Sequence, residues 1–165
     1  MSKRLNLREF QQRVIDRLQD KDLSASRLST LGVQIAGQYW LVDMTDIGEV
    51  LPLPALTHVP LTKPWFRGVA NIRGNLYSIV DLAVYQRSGA ASGDINNRVL
   101  LIADQYAFNA ALLVDRVLGL RDVRTWRQDE ADGQAEYHDE QGLAWRKLDV
   151  AGLLAQPEFL QVGIQ

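Results

Sequence analysis

His138, Asp139 and Glu140 stand in a row, and an imidazole with two carboxylates is the raw material of a metal site or an acid–base pair. The run occupies what reads as a strand end, where adjacent side chains point to opposite faces and do not easily converge on one ion. A solvated turn is the simpler reading. The other histidine, His58, lies in a loop punctuated by prolines. The remaining carboxylates are scattered singly, each the pattern of a surface charge rather than a general base. Phosphate-binding glycine loops, dinucleotide fingerprints and nucleophile elbows do not occur as patterns. The chain has no cysteine, which excludes a disulfide framework, a thiol nucleophile and a cysteine-based zinc site. The expectation is therefore no catalytic residue, no metal and no cofactor. Abundant aliphatic strands carrying Trp40, Trp65, Trp126 and Trp145 are material for cores and interfaces, so binding is the better class of answer.

The 165 residues suit one domain or two small subdomains sharing a core. Hydrophobic residues at 47% and charged residues at 23% are near globular averages and argue against disorder. A formal charge of -2 supplies no basic field for phosphates, which counts against a nucleic-acid partner. The N-terminus mixes Lys3, Arg4, Arg8 and Arg13 with apolar residues and lacks a signal-peptide core. No apolar run approaches bilayer-spanning length. Cytoplasmic location without membrane insertion is the expectation.

Asn6 and Glu9 have the spacing of a helix cap and its reciprocal partner, and Leu7, Phe10, Val14 and Leu18 follow at steps of three and four. This predicts an amphipathic helix whose stripe must pack on protein, either its own barrel or a partner, with a partner preferred. A polar linker follows at Ser24 to Thr30. From Leu31 the helical period fades and short apolar runs alternate with turn residues, the signature of an all-β sandwich or barrel. Val33 to Ala36 and Tyr39 to Val42 flank Gly37 as a hairpin, and Val69 to Ile72 and Leu76 to Val80 flank Gly74-Asn75 as another. Leu51 to Pro64, with Pro52, Pro54, Pro60 and Pro64, is edge or loop. Asp81 caps a short helix over Leu82 to Gln86, and Ser88 to Asn97 is a loop. Val99 to Ala103 and Ala107 to Val114 read as strands buried on both faces. Val117 to Val123 is a shorter strand, Asp129 to Gly133 a charged turn, and Asp149 caps a brief C-terminal helix through Leu154 that stops before Pro157.

The segment Gly68-Val69-Ala70-Asn71-Ile72-Arg73-Gly74, followed by Ile79-Val80-Asp81-Leu82, resembles the signature of the CheW family, Gly-Val-x-Asn-x-Arg-Gly before a strand ending in Asp-Leu. The similarity runs back through Asp46-Ile47-Gly48-Glu49-Val50 and forward through Val114-Asp115-x-Val117, covering roughly residues 31 to 155. The helical extension, Gly68 to Gly74 and the Pro157 to Ile164 tail look most like the CheW-like proteins of type IV pilus twitching systems. The resemblance divides the chain into an extension and linker at 1–30 and a CheW-like domain at 31–165. It implies two packed five-stranded SH3-like barrels. It also implies a non-enzymatic chemosensory adaptor joining the cytoplasmic tip of a methyl-accepting chemoreceptor to the regulatory domain of a CheA-type histidine kinase, held at the inner membrane face by receptor arrays.

Carried over residue by residue, the resemblance puts Arg73 beside the receptor groove, Ile47 and Glu49 on the same face, and Val99 and Ala111 flanking it. A guanidinium at a hairpin turn can reach carboxylates or carbonyls at helix ends. Val99 and Ala111 are equally well read as strand core, and Asn71 and Asp81 as structural. The chain departs from the family at Ser78, where proline is common, and at Ala83, where arginine is. The rival class is a small β-barrel metal-dependent enzyme or ligand-binding domain using His138, Asp139 and Glu140. A nucleic-acid-binding barrel would need a basic stripe.

Overall fold

The computed structural model describes residues 11–16 and 30–163. Residues 11–16 are helical (α1). From Thr30 the chain is built of short strands, as the loss of helical period there predicts. β1 (Thr30–Ile35) and β2 (Gln38–Asp43) pair antiparallel across the Ala36-Gly37 turn, whose φ values of 51 and 78 are those of a two-residue hairpin loop. β3 (Ile47–Pro52) ends at the first of the prolines. β4 (Phe66–Ile72) and β5 (Asn75–Asp81) form the second predicted hairpin. α2 (Leu82–Tyr85) follows at once, and β6 (Arg98–Ile102), β7 (Ala110–Val114), β8 (Arg116–Arg121), β9 (Arg127–Ala131), β10 (Gln134–His138) and β11 (Ala144–Lys147) complete the strands. Two short helices, α3 (Val150–Ala155) and α4 (Pro157–Leu160), close the chain.

The strands form a six-stranded sheet in the order β8-β1-β2-β11-β10-β9 and a five-stranded sheet in the order β3-β6-β7-β5-β4. The first has one strand more than the expected five because the acidic stretch Asp129 to Ala131, expected as a turn, pairs with β10 as part of β9. Only Asp132 and Gly133 turn, at φ 54 and 76. Charge is tolerated there because β9 is an edge strand with solvent on its free side, and charged edges discourage further pairing. β3 is likewise an edge, where a terminal Pro52 removes no ladder bond from a central strand.

β6 and β7 are buried on both faces, as their near-continuous apolar composition predicts. Alternate residues enter two cores. Leu100, Ile102, Ala110, Leu112 and Val114 face the six-stranded sheet and pack with Leu31, Val33, Ile35, Trp40 and Val42. Val99, Leu101, Ala111 and Leu113 face the inside of the five-stranded sheet with Ala70, Ile72 and Ile79, roofed by Leu51, Leu53, Leu56 and Tyr77. β7 is shorter than expected: Ala107 is left-handed, at φ 51, after a 3-10 turn, and the strand opens at Ala110.

The C-terminal tail holds more than the expected stop. Pro157 occupies the first turn of α4, where its missing N–H costs nothing, and α4 buries Phe159 in the shared core. Beyond it Gly163 bridges Thr62, and Lys63 N–H donates to Val162 O at 2.8 Å.

Candidate partner-binding surface

The motif glycines and polar residues each have a local cause. Gly68 sits at φ +134, and a Cβ there would stand 2.4 Å from the Thr57 carbonyl oxygen, so only glycine lets the Thr57–Val69 bridge close over the edge of β4. Asn71 Oδ1 accepts from the Gly74 N–H at 2.9 Å and steadies the turn, the structural role expected of it. Asp81 is fully buried. Its Oδ1 caps α2 through the N–H groups of Ala83 and Val84, and its Oδ2 accepts from Ala91 N–H at 3.1 Å and Arg67 at 3.4 Å.

Register places Ile72 opposite Asn75, so the two-residue loop is Arg73-Gly74 and not Gly74-Asn75. Arg73 has φ 54 and Gly74 φ 84. Such a loop favours asparagine or glycine at its first position, and an arginine there carries conformational strain. Its guanidinium donates to Glu49, which joins β3 and the β4–β5 turn, the two opposite ends of the five-stranded sheet. The pair is a latch on the seam where that sheet curls shut. The Arg73 side chain is 71% exposed and that of Glu49 is 32% exposed.

The structure thus brings Arg73 and Glu49 together at the surface. Ile47, one residue from the β3 bulge, is buried in the shared core. Val99 and Ala111 are fully buried in the barrel interior, the strand-core position that was the alternative reading of each. Of the N-terminal stripe, Val14 lies on α1 and is 41% exposed. Leu7, Phe10 and Leu18 lie outside the described residues. Trp40, Trp65 and Trp145 are buried, which assigns them to packing. Sequence reasoning missed the Arg73–Glu49 pairing, since nothing in a linear reading shows that the first and last strands of the sheet meet.

His138, Asp139 and Glu140 diverge. His138 Nε2 lies 3.1 Å from Glu136 and 3.3 Å from Asp129, on the face that period two assigns to residues 136 and 138. Asp139 turns the other way and accepts from the Trp145 indole N–H at 3.0 Å and from the N–H groups of Gln141 and Leu143. Among the described residues no group of three or more such side chains is placed to hold a metal ion. Burial pushes the Asp139 carboxyl up, but the Trp145 indole and the two N–H donors outweigh it and hold the carboxyl below its ordinary value. A depressed folded pKa contributes stability above the unfolded value and loses it as pH falls through the folded one. Asp139→Asn is therefore expected to melt lower at neutral pH and to lose less on acidification than the parent. Thermal melts across an acid pH series check this, and parallel curves would remove Asp139 from the acid response.

Two packed sheets with a shared core between them, a second core inside the five-stranded sheet, and a strained, exposed arginine turn on its seam make a two-barrel β domain. The chain belongs to the CheW-like domain family, whose model matches residues 29–158. It is 36% identical over 93 residues to Protein PilI of Pseudomonas aeruginosa, an alignment covering 56% of this chain and 52% of that protein. The chain thus spans about half the length of this curated relative. The fold is similar to that of the scaffolding protein TtCheW from Thermoanaerobacter tengcongensis, at a TM-score of 0.63 and 17% identity, covering 78% of this chain and 92% of the other.

Proposed function

We propose that the protein is a non-enzymatic chemosensory adaptor that couples the cytoplasmic tip of a methyl-accepting chemoreceptor to the regulatory domain of a CheA-type histidine kinase. Its output is control of type IV pilus twitching, a reading supported by the likeness to PilI. The observation that carries the proposal is Arg73. Its backbone position prefers another residue type and its guanidinium is mostly exposed, so the turn itself does not call for an arginine and the side chain is available to a partner. Glu49 holds it extended toward a partner carboxylate or helix-end carbonyl. Ile47, Val99 and Ala111 act from below, as the packed floor that fixes β3, β6 and β7 under this surface. The kinase contact joins like fold to like fold. No described helix is long and apolar enough to cross a membrane, and recruitment to the inner membrane face runs through the receptor.

Two substitutions separate binding from folding. Arg73→Glu reverses the charge beside Glu49, and receptor affinity is expected to fall by on the order of 2 kcal/mol if the contact is desolvated, about thirtyfold. Arg73→Asn suits the turn better while removing the guanidinium. Its stability is expected to stay within about 0.5 kcal/mol, since an exposed ion pair contributes little. Receptor binding should fall in both variants, with kinase binding nearly unchanged. Calorimetric titration against a receptor-tip hairpin and the kinase regulatory domain measures this, and unaltered receptor affinity in both variants would exclude Arg73 from the surface. Recovery of both partners in a pull-down from the native cell tests the adaptor role itself.

A further inference from the structure

The Arg73–Glu49 pair depends on one extra residue in β3. Ile47 pairs with Ile102 and Glu49 with Leu101, so Gly48 is a β-bulge with no partner of its own on β6. Paired residues share a face of the sheet, and Ile102 faces the shared core while Leu101 faces the inside of the five-stranded sheet. Ile47 and Glu49 therefore lie on opposite faces, where an unbroken strand would put them on the same one. The bulge buries Ile47 and turns Glu49 toward Arg73. Gly48 itself is exposed. Its φ lies outside the left-handed region, and a Cβ there would meet nothing nearer than Ile102 O at 3.7 Å, an ordinary contact distance. The fold would accept a side chain at this point, and the glycine leaves the surface low there.

On the other side of Arg73 the surface is apolar. Leu76 is 61% exposed, and the register supplies the cause: β7 joins β5 only from Ser78 onward, so no strand covers that flank of Leu76. Period two puts Leu76 with Ser78 and Val80 on the outer face of the five-stranded sheet, opposite Tyr77 and Ile79, which belong to its interior. A single exposed leucine is ordinary on a protein surface. What singles out Leu76 is its neighbourhood. Round the rim of this sheet β5 is followed by β4 and, across the seam that Arg73 and Glu49 close, by β3. Leu76, Arg73, Glu49 and Gly48 thus succeed one another over a distance on the order of 10 Å, comparable to the width of one α-helix. An apolar side chain, an exposed guanidinium and a spot without a side chain stand in a row.

We propose, resting on the adaptor reading, that Leu76 and Gly48 flank Arg73 in one surface for a receptor-tip helix. Leu76 is the apolar contact on one side, and Gly48 is the low point on the other, where the helix backbone comes closest. The occupant this row fits is an amphipathic helix whose carboxylate meets Arg73 and whose apolar residue, one turn away, meets Leu76. Charge alone would hold such a helix weakly, since exposed ion pairs are screened by salt. The leucine adds a contact that salt does not weaken.

Calorimetric titration of the full chain with a receptor-tip hairpin, at low and high salt, tests this. Leu76→Gln is expected to weaken receptor binding about tenfold while keeping the salt dependence of the parent, whereas Arg73→Asn should flatten that dependence. Gly48→Leu should weaken binding by about tenfold or more through occlusion, and Gly48→Ala by only about twofold, a gradation that damage to the bulge would not produce. Melting temperature and binding of the kinase regulatory domain should stay close to the parent's in every variant. Parental receptor affinity in Leu76→Gln or in Gly48→Leu, beside a weakened Arg73→Asn, would overturn the proposal and leave the adaptor reading standing. Arg73→Asn binding as the parent does would remove the whole surface, and a parent that fails to bind the hairpin would remove the adaptor reading. Either result overturns the proposal too. Kinase binding or melting temperature falling together with receptor affinity would show that Leu76 and Gly48 are structural, and that outcome also overturns it.

Discussion

Phe159→Ala is expected to cost about 3–5 kcal/mol of unfolding free energy, a loss typical of a large buried aromatic. At this chain length that corresponds to a melting temperature lower by roughly 10 °C. Phe159 is 1% exposed and lies at the centre of an aromatic cluster. Its ring stacks on Trp65 at 5.9 Å with planes 9° apart, meets Tyr85 edge-on at 5.5 Å and touches Phe108 at 5.9 Å. Pairs of this kind contribute beyond the area they bury. The hole left by truncation cannot collapse easily, because Trp65 is anchored in the chain just before β4, where its carbonyl accepts from Asp81 N–H at 2.8 Å. Urea unfolding of parent and variant measures the difference. A loss near 1 kcal/mol would show that α4 is a satellite of the core and that the tail is dispensable.

That a residue six positions from the C-terminus anchors the core was not legible in the sequence. Phe159 follows a proline that stops one helix, and a reading by local signals sees a tail there. The signals that were legible are those whose cause is local. The Ala36-Gly37 hairpin, the Asp81 cap and the doubly buried β6 and β7 all follow from turn chemistry, capping or composition within a few residues. Non-local contacts were hidden. The parallel pairs of β5 with β7 and β2 with β11 join strands far apart in the chain, and no periodicity reports them. The same holds for the site. Arg73 and Glu49 were each read from resemblance, but their ion pair exists only because the sheet curls until its ends meet. Asp129 to Ala131 misled for a different reason, since charge marks both turns and protected edge strands.

Asp81 combines a local signal with a non-local consequence, and Asp81→Ala is expected to lose about 3–4 kcal/mol. Sequence reasoning identified it as the cap of α2, and loss of such a cap costs on the order of 1 kcal/mol. The structure adds two further partners on its second oxygen, the Ala91 N–H at 3.1 Å and Arg67 at 3.4 Å. Ala91 belongs to the loop between α2 and β6, so one carboxylate ties the start of a helix to the loop that returns the chain to the sheet. Its removal strands N–H groups in a site where Asp81 is 0% exposed, and each unsatisfied buried donor costs about 1–3 kcal/mol. The Arg67 contact adds little, because that side chain is 41% exposed and can turn to water. Asp81→Asn discriminates between the two halves of the argument. A single amide oxygen can serve the α2 cap or the loop but not both with equal geometry, so this variant should lose about half as much as the alanine. Hydrogen exchange at Ala91 and Val84 should show which half survives, with the protection of one amide kept and the other lost. Equal stability of the parent and Asp81→Ala would mean that water replaces the carboxylate in full, and Asp81 would then be no more than a surface-type cap.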